Sequence, residues 1–482
     1  MHNKFTDIII VGAGLSGIGA ACHLTRKNPN KSYVILESRK ALGGTWDLFK
    51  YPGIRSDSDM YTFGYSFKTW DAAKSFADAP SILNYLNEAV NEYNVKDHIV
   101  YDKKVISYNF NSKLKIWTVT ALDTSTNQEI IYQSQFIFNC SGYYNYDHGY
   151  TPKYKGIENF TGKFVHPQKW PKDFDYKNKN VVVIGSGATA VTIVPEIAED
   201  VAHVTMLQRS PTYIGALPNK DGVARFIKFV FPKKTAHKLI RFKNVLLDML
   251  FFNSCRKWPK TMKNFLVKKA KKALGDFPVS PHFTPNYNPW EQRFCLAPDG
   301  DLFKVIREGK ASVETEHIEH FTKEGILLKS GKTLKADIII SATGLKILPF
   351  GGVKMYLDDQ SIDFSKSFVY KGCMLSNIPN LFIFVGYTNA SWTLKSDLTS
   401  EYISRVLMYM DKNDYQIIEP VVKNKNLKST PLLNLNSGYI HRAKNELPSQ
   451  GDKAPWRVYQ NYILDYNMLR IDKVNHKQTH FY

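Results

Sequence analysis

"DIIIVGAGLSGIGAACHL", residues 7 to 24, begins as a run of branched apolar residues, turns on Gly12-x-Gly14-x-x-Gly17, and continues with apolar residues at helical spacing. An unbroken apolar strand is buried on both faces, as in a parallel sheet covered by helices. Glycines at this spacing let the backbone turn tightly and approach a pyrophosphate, whose charge then sits at a helix N-terminus. One such stretch is weak evidence, because a plain strand–turn–helix looks the same. "NVVVIGSGATAVTIVPEIAE", residues 180 to 199, repeats it as Gly185-x-Gly187-x-x-Ala190. Two copies, each bracketed by strand and helix, predict an α/β chain with two Rossmann-like dinucleotide-binding domains.

The copies diverge where a ribose would be read. In "KSYVILES", Glu37 ends the second strand, 20 residues past Gly17. A carboxylate there accepts hydrogen bonds from the hydroxyls of an unphosphorylated adenosine ribose, so the first domain is expected to hold FAD or NAD. In "HVTMLQRSP", Arg209 lies 19 residues past Ala190, where a guanidinium pairs with a 2′-phosphate, so the second is expected to hold NADP. FAD in the first and NADPH in the second is the simplest joint reading. "FIFNCSG" (136–142) and "LKADIIISATG" (334–344) are apolar strands that end in small-residue turns, which suits chain crossings beside cofactors.

Composition sets the bounds. A chain of 482 residues, 43% hydrophobic and 13% aromatic, is well packed and too long for one core. Its five cysteines (Cys22, Cys140, Cys255, Cys295, Cys373) are scattered with no CxxC pair, which argues against a disulfide scaffold, a zinc site or a redox dithiol. The opening MHNKFTDIIIVGAG lacks a signal-peptide pattern, and no uncharged apolar run reaches the ~18 residues of a membrane span. A cytoplasmic protein, soluble or peripheral at the membrane, is expected.

The formal charge of +20 is concentrated. Residues 225–273 hold fifteen Lys and Arg against one acid, Asp248, a net +14. Apolar residues at helical spacing run among these cations. A basic amphipathic segment suits a solvated helical subdomain, an anionic membrane surface or a phosphate backbone. The first is the primary reading and peripheral membrane contact the second; nucleic acid is not expected as a partner.

Two further fingerprints give the chain a family likeness. "FTGKFVHPQKWP" fits FxGxxxHxxxWP through Phe160, Gly162, His166, Trp170 and Pro171, and "GGTWDLFKYPGIRSD" (43–57) fits GGxWxxxxYPGxxxD. With the double Rossmann spacing and the "ATG" at 342–344, the chain resembles the Baeyer–Villiger monooxygenases, a group of class B flavoprotein monooxygenases. It looks closest to the bacterial ethionamide-activating type, along nearly its whole length. The resemblance implies that NADPH reduces FAD, that O2 then gives a C4a-peroxyflavin shielded by retained NADP+, and that attack on a ketone yields an ester or lactone. Sulfide or thioamide oxidation is implied as a side activity.

The same resemblance assigns residues. Arg293 in "EQRFC" matches the active-site arginine, and Asp57 the carboxylate that pairs with it beside the flavin. Arginine suits a fixed cation because it stays charged at any working pH. Gly44, Ser16, Thr45, Trp46, Asp47 and Leu48 are implied FAD contacts, with Glu37 at the ribose and Val105 against the adenine. Arg55, Ser56 and Asp57 are implied to line the junction of FAD and nicotinamide. The turn Gly185, Ser186, Gly187, Ala188, Thr189, Ala190 is implied to hold NADP, together with Gln208, Arg209 and Ser210. Many relatives carry Lys before the active arginine; Gln292 stands here, which moves NADPH selectivity onto Arg209.

The expected organisation is an FAD domain from residues 1–150 and 346–482, an NADP domain from 151–212 and 292–345, and a helical insertion at 213–291. The Pro-rich end of that insertion, "DFPVSPHFTPNYNPW" (276–290), reads as a loop that delivers Arg293. The substrates implied are a small ketone or sulfide and O2. Three other readings compete. An N- or S-oxygenating flavin monooxygenase is expected to carry Tyr or Phe at Trp170, and a disulfide reductase needs a vicinal cysteine pair. A membrane-associated flavin redox sensor accounts for the basic segment but not for Arg293 with Asp57. His166 and Trp170 are expected to pin the linker between the domains.

Overall fold

Ile8, Ile9 and Ile10 of β1 (Lys4–Val11) have no exposed surface, since this strand lies mid-sheet with helices on its faces. Burial of each such side chain contributes about 1.5–3 kcal/mol. The computed structural model describes residues 4–424, 426–433 and 438–482. On one side β1 pairs in parallel with β2 (Tyr33–Leu36), which pairs with β3 (Ile99–Val100). β4 (Lys103–Asn111) and β5 (Ile116–Asp123) form an antiparallel extension that joins β6 (Gln128–Asn139). β6 returns parallel to β1, with Ile9 opposite Ile137, and its end also pairs with Leu381–Ile383. Helix α1 (Leu15–Lys27) covers one face and packs on the long helix Trp392–Lys412.

The second sheet is all parallel. It contains β7 (Lys163–Val165), β8 (Asn180–Ile184) and β9 (His203–Gln208). Beyond it, β10 (Ile214–Leu217) and β11 (Cys295–Pro298) make a separate parallel pair, and β12 (Ala311–Thr315) returns to the sheet. Its order is β12, β9, β8, Ile338–Ser341, β7, with Val182 opposite both Thr205 and Ile339. The chain therefore has the α/β architecture with two Rossmann-like units that the repeated glycine turn predicts.

The two units are joined by a ribbon. Tyr144 bridges antiparallel to Ile347, and Asn145 N–H donates to the Lys346 carbonyl at 2.8 Å. The GGTW…YPG stretch, with α2 (Thr45–Leu48) inside it, spans the same joint, because Phe49 and Tyr51 are buried in the second unit's core. α3 (Met60–Phe63) and α4 (Ala79–Glu92) follow it on the first unit, and α5 (Ala188–Ile197) lies on the second. An added Cβ on Gly53, at φ +72°, would stand 2.9 Å from Glu196 Cβ on α5.

The segment 213–291 opens on strand β10 rather than on a helix. Pairing Ile214 with Cys295 makes the insertion leave and re-enter the unit side by side. Between them lie α6 (Gly222–Val230), α7 (Lys233–Lys257) and α8 (Pro259–Leu274). Arg241 anchors α7 with its guanidinium buried. It donates to the carbonyls of Tyr61 (2.8 Å) and Gly64 (2.7 Å) and to Asp397 (3.0 Å), which also meets His23 at 3.2 Å. A buried charge is tolerable only when paired and hydrogen-bonded in this way.

Candidate active site

A cavity of about 590 Å³ opens at the C-terminal edge of the first sheet, where β1 turns into α1. An added Cβ on Gly12 (φ +99°) would stand 3.0 Å from the Cys140 carbonyl oxygen, and one on Gly17 1.9 Å from the Gly12 carbonyl oxygen. Gly44 (φ +56°) closes over Gly14 from the opposite side. These three contacts leave no room for side chains and form a cradle of backbone at a helix N-terminus.

Glu37 is 4% exposed. It accepts from Ala13 N–H at 2.7 Å through one oxygen and from Arg39 N–H at 2.9 Å through the other. Burial pushes its carboxyl above the ordinary range, and the two backbone N–H groups pull it partly back. Arg39 beside it donates to Asp47, while its Nη1 is buried and has no hydrogen-bond partner among the described residues. Because a buried guanidinium nitrogen is costly to leave unpaired, this atom faces a site made for an acceptor. An adenosine ribose and a pyrophosphate supply such acceptors, and Val105 adds an apolar wall.

Of the sequence-assigned residues, Gly12, Gly14, Ser16, Glu37, Gly44, Thr45, Trp46, Leu48, Ser56, Asp57, Val105 and Arg293 line the cavity. Trp392 Nε1 donates to Ser16 Oγ at 2.9 Å, and Thr45 Oγ1 meets Tyr146 OH at 3.0 Å. Ser56 Oγ is engaged with Ser58, donating to its carbonyl at 2.8 Å. Three assigned residues stand behind the wall. Gly17 lies beneath the turn, and Asp47 holds Arg39 and Lys50. Arg55 pairs with the Asp301 carboxylate at 2.5 Å and does not line the cavity.

Arg293 Nη2 donates to Asp57 Oδ2 at 2.8 Å, joining the loop after the insertion to the second fingerprint. Their side chains are 41% and 28% exposed, so the pair borders an open cleft. The loop is held by aromatic stacking. Phe252 meets Trp290 at 5.4 Å, Trp290 stacks on Phe294 at 6.0 Å, and Phe251 meets Phe294 at 5.4 Å. Trp290 has φ +66°, a conformation that costs a bulky residue about 1–3 kcal/mol and persists only where packing enforces it.

The second unit repeats the turn without the enclosure. Gly185 (φ +137°) abuts the Ala342 carbonyl, whereas Gly187 has nothing within 4 Å of an added Cβ. Ser186 Oγ donates to the Ser210 carbonyl at 3.1 Å, Thr189 meets the Tyr51 hydroxyl, and Ala190 is buried. Ala188 and Arg209 are exposed at the mouth. Gln208 turns inward instead. It is 2% exposed and its amide donates to the His282 carbonyl (2.7 Å) and Thr315 Oγ1 (2.8 Å), so strand alternation turns this side chain into the unit.

In the linker, His166 Nε2 lies 3.2 Å from the Gly344 carbonyl, and its Nδ1 accepts from Gln168 N–H at 3.2 Å. Burial lowers its pKa. Gly149 presses on the imidazole, and Gln168 Nε2 donates to the Asn145 carbonyl at 2.7 Å, so this stretch grips both strands of the inter-unit ribbon. Phe160 packs against Phe321, Gly162 lies where an added Cβ would stand 2.4 Å from the Asp337 carbonyl oxygen, and Trp170 packs against Phe174.

Sequence reasoning missed Arg39 and Tyr146, and placed Trp392 only within a stretch, 389–397, on which pocket shape depends. Arg39 stands two residues beyond Glu37 and carried a local signal; the contact of Trp392 with Ser16 comes from the far end of the chain.

A family model described as flavin-binding monooxygenase-like matches residues 6–412. The chain is 50% identical over 477 residues to the FAD-containing monooxygenase EthA of Mycolicibacterium smegmatis, covering 98% of this chain and 96% of that protein. It is 47% identical over 480 residues to the probable FAD-binding monooxygenase AlmA of Acinetobacter baylyi, covering 99% and 96%. Among solved structures, OTEMO in complex with FAD and NADP superposes with TM-score 0.70 at 22% identity, covering 87% of this chain and 88% of that one. An open form of cyclohexanone monooxygenase gives 0.71 at 20% identity, covering 87% and 90%.

Proposed function

The chain belongs to the flavin-binding monooxygenase-like family, and from that premise we propose an NADPH- and O2-dependent enzyme that inserts oxygen next to a ketone carbonyl, giving an ester or lactone. Sulfide or thioamide oxidation is its side activity. FAD occupies the cavity of the first unit, and NADP binds at the turn 185–190 of the second. The bound flavin, once reduced by NADPH, supplies the activation of O2.

The protein's own residues do the rest. Glu37 accepts from the ribose hydroxyls, Arg39 Nη1 donates to the adenosine half, and the turn from Gly12 to Gly17 receives the pyrophosphate at the start of α1. Arg209 reads the 2′-phosphate of NADPH, with Ser210 beside it. Arg293 places a permanent positive charge where negative charge develops on the substrate's oxygen during attack. Asp57 orients that guanidinium, and the aromatic loop around Trp290 fixes its backbone.

The observation that carries this reading is the Arg293–Asp57 pair at the rim of the cavity. Ion pairs this exposed contribute only about 0.2–1 kcal/mol to stability. The loop spends more than that on the Trp290 conformation, so fold stability does not account for the arrangement.

Purified protein tests it. Retained FAD, NADPH-dependent oxygen uptake and lactone from a cyclic ketone are expected together; oxygen uptake that yields only hydrogen peroxide with ketones and sulfides alike would overturn the assignment. Arg293→Ala should lose product formation about 10²–10³-fold while flavin reduction by NADPH continues.

A further inference from the structure

The insertion is more apolar outside than its position requires. On α6, Phe226 is 66% exposed and Phe229 89%; on α7, Phe242 is 61% and Leu250 62% exposed. Val223, Leu239 and Leu247 extend the same outer surface. Single exposed apolar residues are ordinary on a protein surface, but contiguous apolar patches are not. The opposite faces, with Ala224, Ala236, Ile240 and Arg241, grip the body of the protein, so the phenylalanines point away from it.

The cations around this patch are also unspent. Of the fifteen Lys and Arg in 225–273, only Lys233, Arg241 and Lys243 have a carboxylate within ion-pair distance among the described residues, in Asp71, Asp397 and Asp221. Near the apolar stripe, Arg225, Lys234 and Lys238 are exposed. Further along, Lys257 and Lys269 lie over the rings of the exposed Trp258 and Phe265.

We infer that α6 and α7 seat this protein on an anionic lipid bilayer, with Phe226, Phe229 and Phe242 in the acyl boundary and the neighbouring lysines and arginines among the headgroups. Each half of the surface selects this occupant. Acidic headgroups complement a segment of net +14, and the acyl boundary takes phenylalanine and leucine that water does not. A second copy of the chain would bring the same charge and be repelled. A nucleic acid backbone would satisfy the lysines and leave Val223, Leu239 and Leu250 in water. No helix among the described residues is long and apolar enough to cross a membrane, so the contact is peripheral. α7 continues from this face to Phe251 and Phe252, which pack on the loop of Arg293, so the docked face and the catalytic loop share one rigid element.

Vesicle flotation of the purified protein tests this. The bound fraction should be at least about 10-fold higher on phosphatidylglycerol-rich vesicles than on pure phosphatidylcholine, and should fall in high salt. The double variant Phe226→Ser/Phe229→Ser should lose about 10-fold in partitioning with unchanged thermal melting and NADPH turnover, because both side chains are exposed. Lys234→Glu/Lys238→Glu should lose a similar factor. Wild-type protein that stays in solution, or a double-serine variant that floats like the wild type, overturns the inference. So does tighter binding to an oligonucleotide than to the anionic vesicles. A concentration-dependent dimer that the serine variant dissolves would assign the face to self-association instead.

Discussion

Gly12 and Gly185 occupy equivalent turns, with φ of +99° and +137°, and an added Cβ on either would meet a carbonyl just past the end of the neighbouring parallel strand, Cys140 in one unit and Ala342 in the other. The helix caps behind them are nearly superposable: Gly14 has φ −81° and ψ −173°, Gly187 φ −83° and ψ −177°. What stands over the turn differs. Gly14 is faced by Gly44, and Trp392 reaches Ser16 beside it. Over Gly187 there is open space. The residues at the two strand ends follow suit, Glu37 being buried and doubly hydrogen-bonded while Arg209 is exposed. One backbone motif thus serves two kinds of site. On the proposed assignment, the enclosed turn retains FAD through many cycles and the open one exchanges NADP.

The widest gap between the units is tested at the glycines. Gly44→Ala sets a Cβ 3.1 Å from the Gly14 Cα at φ +56° and should cost about 1–3 kcal/mol with loss of bound flavin, whereas Gly187→Ala, with nothing within 4 Å, should stay within about 0.5 kcal/mol. Thermal melting and flavin absorbance read both, and equal effects would break the comparison.

Glu37→Gln comes next. It should weaken FAD by about 30-fold, or about 2 kcal/mol, because hydrogen bonds to a charged acceptor are worth more than neutral ones. It also carries a pH signature. Burial raises the Glu37 pKa in the FAD-free protein, so its contribution to stability is fully present below the ordinary carboxylate pKa and is lost as pH rises through the raised value. Ribose donors favour the carboxylate, so FAD affinity runs the other way and weakens as pH falls through that range. The glutamine variant should flatten both profiles.

Arg209→Ala should lower the preference for NADPH over NADH about 10-fold and leave FAD content unchanged. An unaltered preference in steady-state kinetics would remove the 2′-phosphate reading of the open unit.

The smallest effect concerns the element that holds the units in register. His166→Ala should slow flavin reduction severalfold with FAD still bound, measured by stopped-flow. Protonation of His166 costs the Gln168 N–H bond. With its folded pKa lowered by burial, its stabilisation is present above the unfolded value of about 6.5 and is lost as pH falls through the folded one. The variant should lack that acid-side loss of melting temperature, and an identical pH profile in both proteins would unseat the pinning role.

Both turns and the two fingerprints were legible because each is a local requirement. A glycine where a Cβ would meet a carbonyl, or a charged residue at a strand end, is dictated by atoms within a few residues or one parallel strand. Gln208 shows where that ends. It occupies the same strand terminus as Arg209, yet alternation buries it against His282 and Thr315, contacts 74 and 107 residues away in sequence. Arg55 was read with Ser56 and Asp57 as one wall, and Asp301 draws it behind that wall.

By itself, then, the sequence determined the two β-turn-α cradles and the family, since these rest on backbone sterics and on motifs at fixed spacing. Tertiary structure alone decided which turn is enclosed, that Arg55 turns to Asp301, and that the insertion's phenylalanines face outward. Those depend on how distant segments pack, and amphipathic spacing in α6 and α7 is the same whether the apolar stripe faces a core or a bilayer.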